Sequence, residues 1–290
     1  MVFQILCLLS FVGVSSADKP AGYPRKDLLV EASALARPDL AERYRILDCR
    51  SKQKYLAGHI PSAACVDLAD WSKAFGLGQD TAGWAKRLGA LGIGIDTSVV
   101  VYDDTASKDA ARIWWILRYW GVKDVRLLNG GWPAWKSSGS KVATEESTYS
   151  SPMPILHPQH DRLATKNQVL DSLKNKSFQI IDARTTGEFC GTEKTAKRNG
   201  AIPGAIHLEW IELLDKYSQR FKNAEELSKI FRESGIDLAN PSVTHCQSGG
   251  RAAVMAFALE LMGAKEVRNY YRSWAEWGNA DDTPIVKPKN

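Results

Sequence analysis

Brief apolar runs alternate along this chain with longer stretches whose apolar residues recur at helical spacing. In the first half, residues 44–47 form a short apolar run that stops at Asp48, and 98–102 (Ser-Val-Val-Val-Tyr) is a β-branched run of the kind buried on both faces. Residues 110–119 read as an apolar helix ended by Gly121, and 125–128 as a strand closed by Asn129-Gly130-Gly131. The second half repeats the order, with strands at 179–181 and 242–245, an apolar helix over 252–262 ended by Gly263, and a strand at 267–270. Strands that alternate with helices and lack an in-out period predict an α/β fold, a mainly parallel sheet with helices on both faces.

The two halves also share residues. Ile46-Leu47-Asp48-Cys49-Arg50 returns as Ile180-Ile181-Asp182-Ala183-Arg184, and Gly58-His59-Ile60-Pro61-Ser62-Ala63 as Gly200-Ala201-Ile202-Pro203-Gly204-Ala205. Gly131-Trp132-Pro133-Ala134-Trp135 returns as Ser273-Trp274-Ala275-Glu276-Trp277, at the same offset of 142 as the glycine pair. A period that long marks two domains of one doubly wound fold rather than a solenoid. The expected organisation is a leader over 1–17, a first domain over 24–140, an extended linker over 141–160 and a second domain over 161–288. The linker carries Ser, Glu and Pro without periodicity.

Composition adds exclusions. The 290 residues are 44% hydrophobic and 24% charged, which is ordinary for a globular chain with a core. The net charge is +5, but lysines and arginines are scattered, so solvated faces are expected and no nucleic-acid partner. Residues 2–14 are apolar and Ser15-Ser16-Ala17 follows, which fits a secretory leader cut after Ala17 and a periplasmic or secreted protein, although no Lys or Arg precedes the apolar part. That part is too short to anchor in a bilayer, and no integral membrane segment is expected after processing. Beyond the leader stand Cys49, Cys65, Cys190 and Cys246, with no Cys-x-x-Cys and no histidine at zinc-ligand spacing, so neither a disulfide scaffold nor a metal is expected. A Cys190–Cys246 bridge would need their Cα atoms within about 6 Å and is not expected.

The chemistry concentrates at Val243-Thr244-His245-Cys246-Gln247-Ser248-Gly249-Gly250-Arg251. Ligands of open parallel sheets bind beyond the carboxyl ends of the strands, and Cys246 sits at such an end just before a helix. Two glycines allow a tight loop that turns successive N–H groups inward as an anion nest, and the helix start adds its positive end. These terms favour the thiolate, the nucleophilic form. The bland alternative is a buried cysteine that only fills space.

This loop resembles the active-site loop of the rhodanese family, and Asp-x-Arg after a strand, Gly-His-Ile-Pro-x-Ala and Trp-x-x-Trp resemble its other signatures across nearly the whole chain. The resemblance implies a tandem protein whose first domain is inactive, and Asp103 indeed stands at the position matching Cys246. It further implies double displacement: Cys246 takes the outer sulfur of thiosulfate, sulfite leaves, and the persulfide passes its sulfur to cyanide or a thiol, with no metal or organic cofactor. Phosphatases of related fold use Cys-x5-Arg, whereas Arg251 comes one residue sooner, and the tighter ring suits a terminal sulfur better than a phosphate. Partners are then a small-molecule sulfur donor and acceptor, and a monomer is expected.

Candidate site residues are Cys246 as nucleophile, and Gln247, Ser248, Gly249, Gly250, Arg251, Arg184 and Arg198 as substrate-binding. Arg184 also reads as the partner of Asp182 at the strand end, and Arg251 as a brace outside the loop. Ser248 is similar to the corresponding residue of 3-mercaptopyruvate sulfurtransferases, but Glu188 stands where their carboxylate-binding arginine is expected and would repel an anion, with Lys197 and Arg198 left to compensate. Thiosulfate is therefore the favoured donor. A non-catalytic exported sulfur-binding scaffold is the other alternative. His59 reads as a satisfied turn histidine, and His245, alternating with Cys246 on its strand, as core.

Overall fold

The computed structural model describes residues 22–76, 78–150 and 152–289. The leader expected at 1–17 lies outside the described residues. Among the described residues nine strands form two sheets. The first holds β1 (Leu29–Val30), β2 (Arg45–Asp48), β3 (Ala63–Cys65), β4 (Ser98–Tyr102) and β5 (Asp124–Leu128), in the order β1-β5-β4-β2-β3. The second holds β6 (Gln179–Asp182), β7 (Ile206–His207), β8 (Ser242–His245) and β9 (Val267–Asn269), in the order β7-β6-β8-β9. All pairings are parallel, and β2 to β5 correspond in order to β6 to β9. The place of β1 is taken in the second sheet by a single parallel bridge from Leu163 to Asn269.

The central strands β4 and β8 are buried along nearly their whole length, as their β-branched composition requires. β1, β3 and β7 are two or three residues long and carry no run that pattern reading could detect.

One core cluster spans the two domains, and each domain keeps a smaller cluster of its own. The Lys108–Tyr119 helix of the first packs against the Gly250–Leu261 helix of the second, with the Trp114 and Phe257 rings edge to face at 4.9 Å. The Gly250–Leu261 helix is apolar all round except for Arg251 and Glu260, because it lies between its own sheet and the other domain. The segment joining the domains runs along the first as an extended strap. The Glu145 carbonyl meets His59 Nε2 at 3.0 Å, Tyr149 lies under the Arg45 guanidinium at 3.3 Å, and Gln159 N–H donates to Tyr119 C=O at 2.7 Å. His59 is buried, with its Nδ1 2.8 Å from Tyr55 C=O, so both ring nitrogens are occupied by backbone.

Candidate active site

β8 ends at His245, and the four residues Cys246 to Gly249 carry the chain into the Gly250–Leu261 helix. Each of their carbonyls is drawn out of the loop by a separate donor. Cys246 C=O accepts from Trp274 N–H at 2.9 Å and Gln247 C=O from Ala275 N–H at 2.9 Å. Ser248 C=O accepts from Arg112 Nη1 at 2.7 Å, and Gly249 C=O from Asn269 Nδ2 at 3.0 Å. In a trans peptide the N–H points opposite to the C=O, so carbonyls turned outward leave amides turned inward. Gly249 N–H accordingly donates to Cys246 Sγ at 3.2 Å. The amides of Gly250, Arg251 and Ala252 occupy the first helical turn, which offers them no intrahelical acceptor, and the positive end of the helix points the same way.

The turn needs its glycine. Gly249 has φ +86°, and a Cβ there would lie 2.8 Å from both the ring and the carbonyl oxygen of Tyr271. Cys246 itself is a free thiol, 2% exposed, and its N–H is taken up by Ser273 Oγ at 3.1 Å, which in turn donates to Tyr270 C=O.

Arg251 flanks the sulfur and is held by Glu188 in a two-pronged pair at 2.5 and 2.9 Å. Burial works against the Arg251 charge, but the Glu188 bond and the neighbouring Cys246 outweigh it and raise the guanidinium above its ordinary value. Burial would likewise raise Glu188, but Arg251 and the Thr185 amide hold its carboxyl below the usual range. Glu188 is thus a neutralised partner that also caps the Thr186–Cys190 helix, not the bare repelling charge that its position suggested.

Arg184 and Arg198 donate no hydrogen bond to the loop. Arg184 is fully buried, paired with Asp182 at 2.6 Å and donating to Gly200 C=O at 2.7 Å. Arg50 does the same in the first domain, with Asp48 at 2.6 Å and Gly58 C=O at 2.7 Å. An arrangement identical in the half with no cysteine at the loop serves the fold: it ties the Asp-x-Arg strand end to the Gly-x-Ile-Pro glycine. Arg198 gives its guanidinium to the carbonyls of Trp277, Ala280 and Thr283. Gln247 donates to Thr195 C=O at 3.0 Å. His245 is sealed in the core, 3.5 Å from Asp182; burial brings it down to about 4, so it is neutral at pH 7 and this is no ion pair.

The first domain shows what such a loop does with an anion. Asp103, beyond β4, accepts from the amides of Ser107 (3.0 Å), Asp109 (2.8 Å), Ala110 (2.8 Å) and Thr105 (3.3 Å) and from the Thr105 hydroxyl (3.0 Å). Its own C=O accepts from Trp132 N–H at 2.7 Å, as that of Cys246 does from Trp274. The cradle is therefore filled from within by a carboxylate, which burial pushes up.

A cleft of about 510 Å³ opens between the domains against the outer side of the loop, lined among others by Lys73, Arg112, Ser248, Tyr271 and Arg272. Cys246 is not in its lining, so the cleft borders the loop without reaching the sulfur. Among the described residues no group of three or more His, Cys, Asp or Glu side chains is placed to hold a metal ion.

Arg112, Asn269, Tyr271 and Ser273 escape a reading centred on the cysteine motif because they lie far from it in sequence. The repeat held a signal. Thr244 pairs in register with Asn269 where the first sheet pairs Val101 with Leu127, so polar residues replace apolar ones only in the half with the cysteine. Arg112 likewise is the one charge within the apolar run 110–117, 142 residues before Val254.

A family model described as "Rhodanese-like domain" matches residues 31–138 and again 165–280. The chain is 33% identical to a thiosulfate sulfurtransferase of Bos taurus over 240 residues, covering 78% of this chain and 80% of that one. It is 31% identical to a thiosulfate sulfurtransferase of Pseudomonas aeruginosa (89% and 96% covered) and 30% identical to a 3-mercaptopyruvate sulfurtransferase of Mus musculus (85% and 89%). Among solved structures, the anaerobic ergothioneine biosynthesis enzyme from Chlorobium limicola superposes with a TM-score of 0.81 at 23% identity, covering 92% of this chain and 72% of that one, a likeness of fold.

Proposed function

We propose a function from one premise: the chain belongs to the rhodanese-like domain family. The protein is a sulfurtransferase that moves sulfane sulfur from thiosulfate to a thiophilic acceptor through a persulfide on Cys246. The observation that carries this is the Cys246–Gly249 loop, with four carbonyls held outward and the Gly249 amide on the sulfur. Fixed dipoles of this kind stabilise negative charge without reorganising.

The step balances. The Cys246 thiolate attacks the outer sulfur of thiosulfate, the S–S bond of the donor breaks, and its electron pair leaves with sulfite. The terminal sulfur of the persulfide carries the negative charge that the loop receives. Cyanide or a thiolate then attacks that sulfur, and the Cys246 thiolate returns. Every amide turned towards Sγ also faces the terminal atom, so one cradle serves the thiolate, the persulfide and the transition states between them. Arg251 adds positive charge beside the sulfur, tempered by Glu188.

Thiosulfate fits this site better than an α-keto acid, whose carboxylate needs a cation of its own. Arg251 is bound in both prongs to Glu188, and Arg184 and Arg198 are committed to the fold. Thiocyanate production with cyanide, compared between thiosulfate and 3-mercaptopyruvate, tests this. A larger kcat/KM for thiosulfate, lost in Cys246→Ser, is expected. A preference for mercaptopyruvate reverses the donor, and no turnover with either defeats the reading.

A further inference from the structure

The peptide joining Ser248 to Gly249 is held at both ends. Its N–H donates to Cys246 Sγ at 3.2 Å, and its carbonyl accepts from Arg112 Nη1 at 2.7 Å. Arg112 belongs to the Lys108–Tyr119 helix of the domain whose own cradle is closed by Asp103. The guanidinium is fixed by Tyr271, whose hydroxyl lies 3.1 Å from Nη1 and whose ring centre lies 5.4 Å from Cζ. Gly250 makes room for it, since a Cβ there would fall 2.6 Å from Nη2. Among the described residues no carboxylate forms an ion pair with Arg112, so its charge is directed at the peptide. A charge-assisted bond to a carbonyl both fixes the peptide plane and polarises the amide on its other side.

We propose that Arg112 is a positioning residue for sulfur transfer: the first domain, across the domain boundary, sets the orientation of the peptide whose N–H holds the charged sulfur. The inference rests on the sulfurtransferase reading and deepens it. It gives the silent domain a part in the chemistry, which its filled cradle denies it directly. It also accounts for two features that Cys246 alone leaves unexplained: a charge inside the apolar run 110–117 of its helix, and a second glycine at the helix start.

The test uses the full chain with Arg112→Met, Arg112→Lys and, as a control at the same boundary, Arg162→Met. Arg162 lies over the Trp114 ring at 5.3 Å and pairs with Glu260, away from the loop. Three quantities are measured: kcat, KM for thiosulfate, and the rate of Cys246 alkylation by uncharged iodoacetamide at mildly acidic pH. Removing a donor that faces developing charge costs about 100-fold or more in rate, and loosening one costs less, so Arg112→Met is expected to lower kcat roughly 10- to 100-fold with KM within about twofold. Alkylation slows with it, because the thiolate loses the oriented amide. Arg112→Lys, which keeps a charged donor, restores most of the kcat. A raised KM at unchanged kcat overturns the proposal, since Arg112 would then be a docking charge. Unchanged kcat overturns it too, as does an equal loss in Arg162→Met. Alkylation needs no sulfur donor. A wild-type protein that takes up no sulfur, yet whose alkylation slows on Arg112→Met, defeats the sulfurtransferase reading while leaving the clamp in place.

Discussion

Replacing Gly249 by alanine separates backbone strain from loss of the cradle when it is set beside the same change at Gly204. Both glycines are left-handed, at φ +86° and +74°. An L residue in that region costs about 1–2 kcal/mol. At Gly204 nothing lies within 4 Å of the added methyl, so the cost ends there. At Gly249 the methyl would sit 2.8 Å from the Tyr271 ring and 2.8 Å from its backbone oxygen. The ring can swing but the backbone oxygen cannot, and overpacking of this kind adds about 1–3 kcal/mol. The totals are then about 1–2 kcal/mol for Gly204→Ala and about 2–5 kcal/mol for Gly249→Ala, or falls in Tm of roughly 2–8 °C and 4–20 °C. The larger difference is chemical. The relieving shift moves the amide 3.2 Å from Cys246 Sγ, and loss of one such donor lowers a rate by about 100-fold or more. Single-turnover sulfur loading from thiosulfate, followed by quenching and mass analysis, should fall by about that factor in Gly249→Ala and stay at the wild-type rate in Gly204→Ala. Wild-type loading by Gly249→Ala, or equal losses in the two variants, refutes the reasoning.

Glu188→Gln leaves Arg251 without its counter-charge; stability should fall by about 3 kcal/mol in urea titration, while KM for thiosulfate drops several-fold because net positive charge appears beside the sulfur. Because the Glu188 carboxyl is held below its ordinary value, its contribution is fully present above about pH 4.3 and is lost as pH falls through the native value, a limb the Gln variant should lack. His245, lowered to about 4, must take a proton in the unfolded chain before it does in the native one, so wild-type stability should decline by up to ~3 kcal/mol between pH 6.5 and 4 and His245→Asn should flatten that slope in urea midpoints. Asp103→Ala strands the buried amides of Ser107 and Ala110 at about 1–3 kcal/mol each, and the half-buried amide of Asp109 at less, so the first domain should unfold at lower urea while the Cys246 thiol remains reactive to alkylation in native buffer.

The duplicated α/β plan was legible because the apolar runs of the central strands and of the two interface helices are long enough to show their period. β3 and β7 were not, since Ala63–Cys65 and Ile206–His207 are too short for any pattern, although each follows a Gly-x-Ile-Pro turn whose glycine carbonyl receives Arg50 or Arg184. Arg184 looked like an anion ligand because Asp-x-Arg sits at the carboxyl end of a strand, where ligands bind; only the fold shows that its Nε and Nη2 are taken by Asp182 and the Gly200 carbonyl. The nucleophile loop could be read because its chemistry is local, with a thiol, two glycines and a helix start in succession. The donors that pull its carbonyls outward left only a trace in the comparison of the two halves, because Arg112 and Asn269 reach the loop through domain packing and sheet register. Glu188 was misread for a related reason: sequence shows a charge, and only the fold shows that Arg251 meets it.

The most direct measurement is the intact mass of the purified protein before and after incubation with thiosulfate, in the wild type and in Cys246→Ser. The account predicts that the wild type gains one sulfur atom, that cyanide removes it with release of thiocyanate, and that Cys246→Ser gains none. A wild-type protein that keeps its mass with thiosulfate, or a Cys246→Ser variant that still acquires a cyanide-labile sulfur, contradicts it.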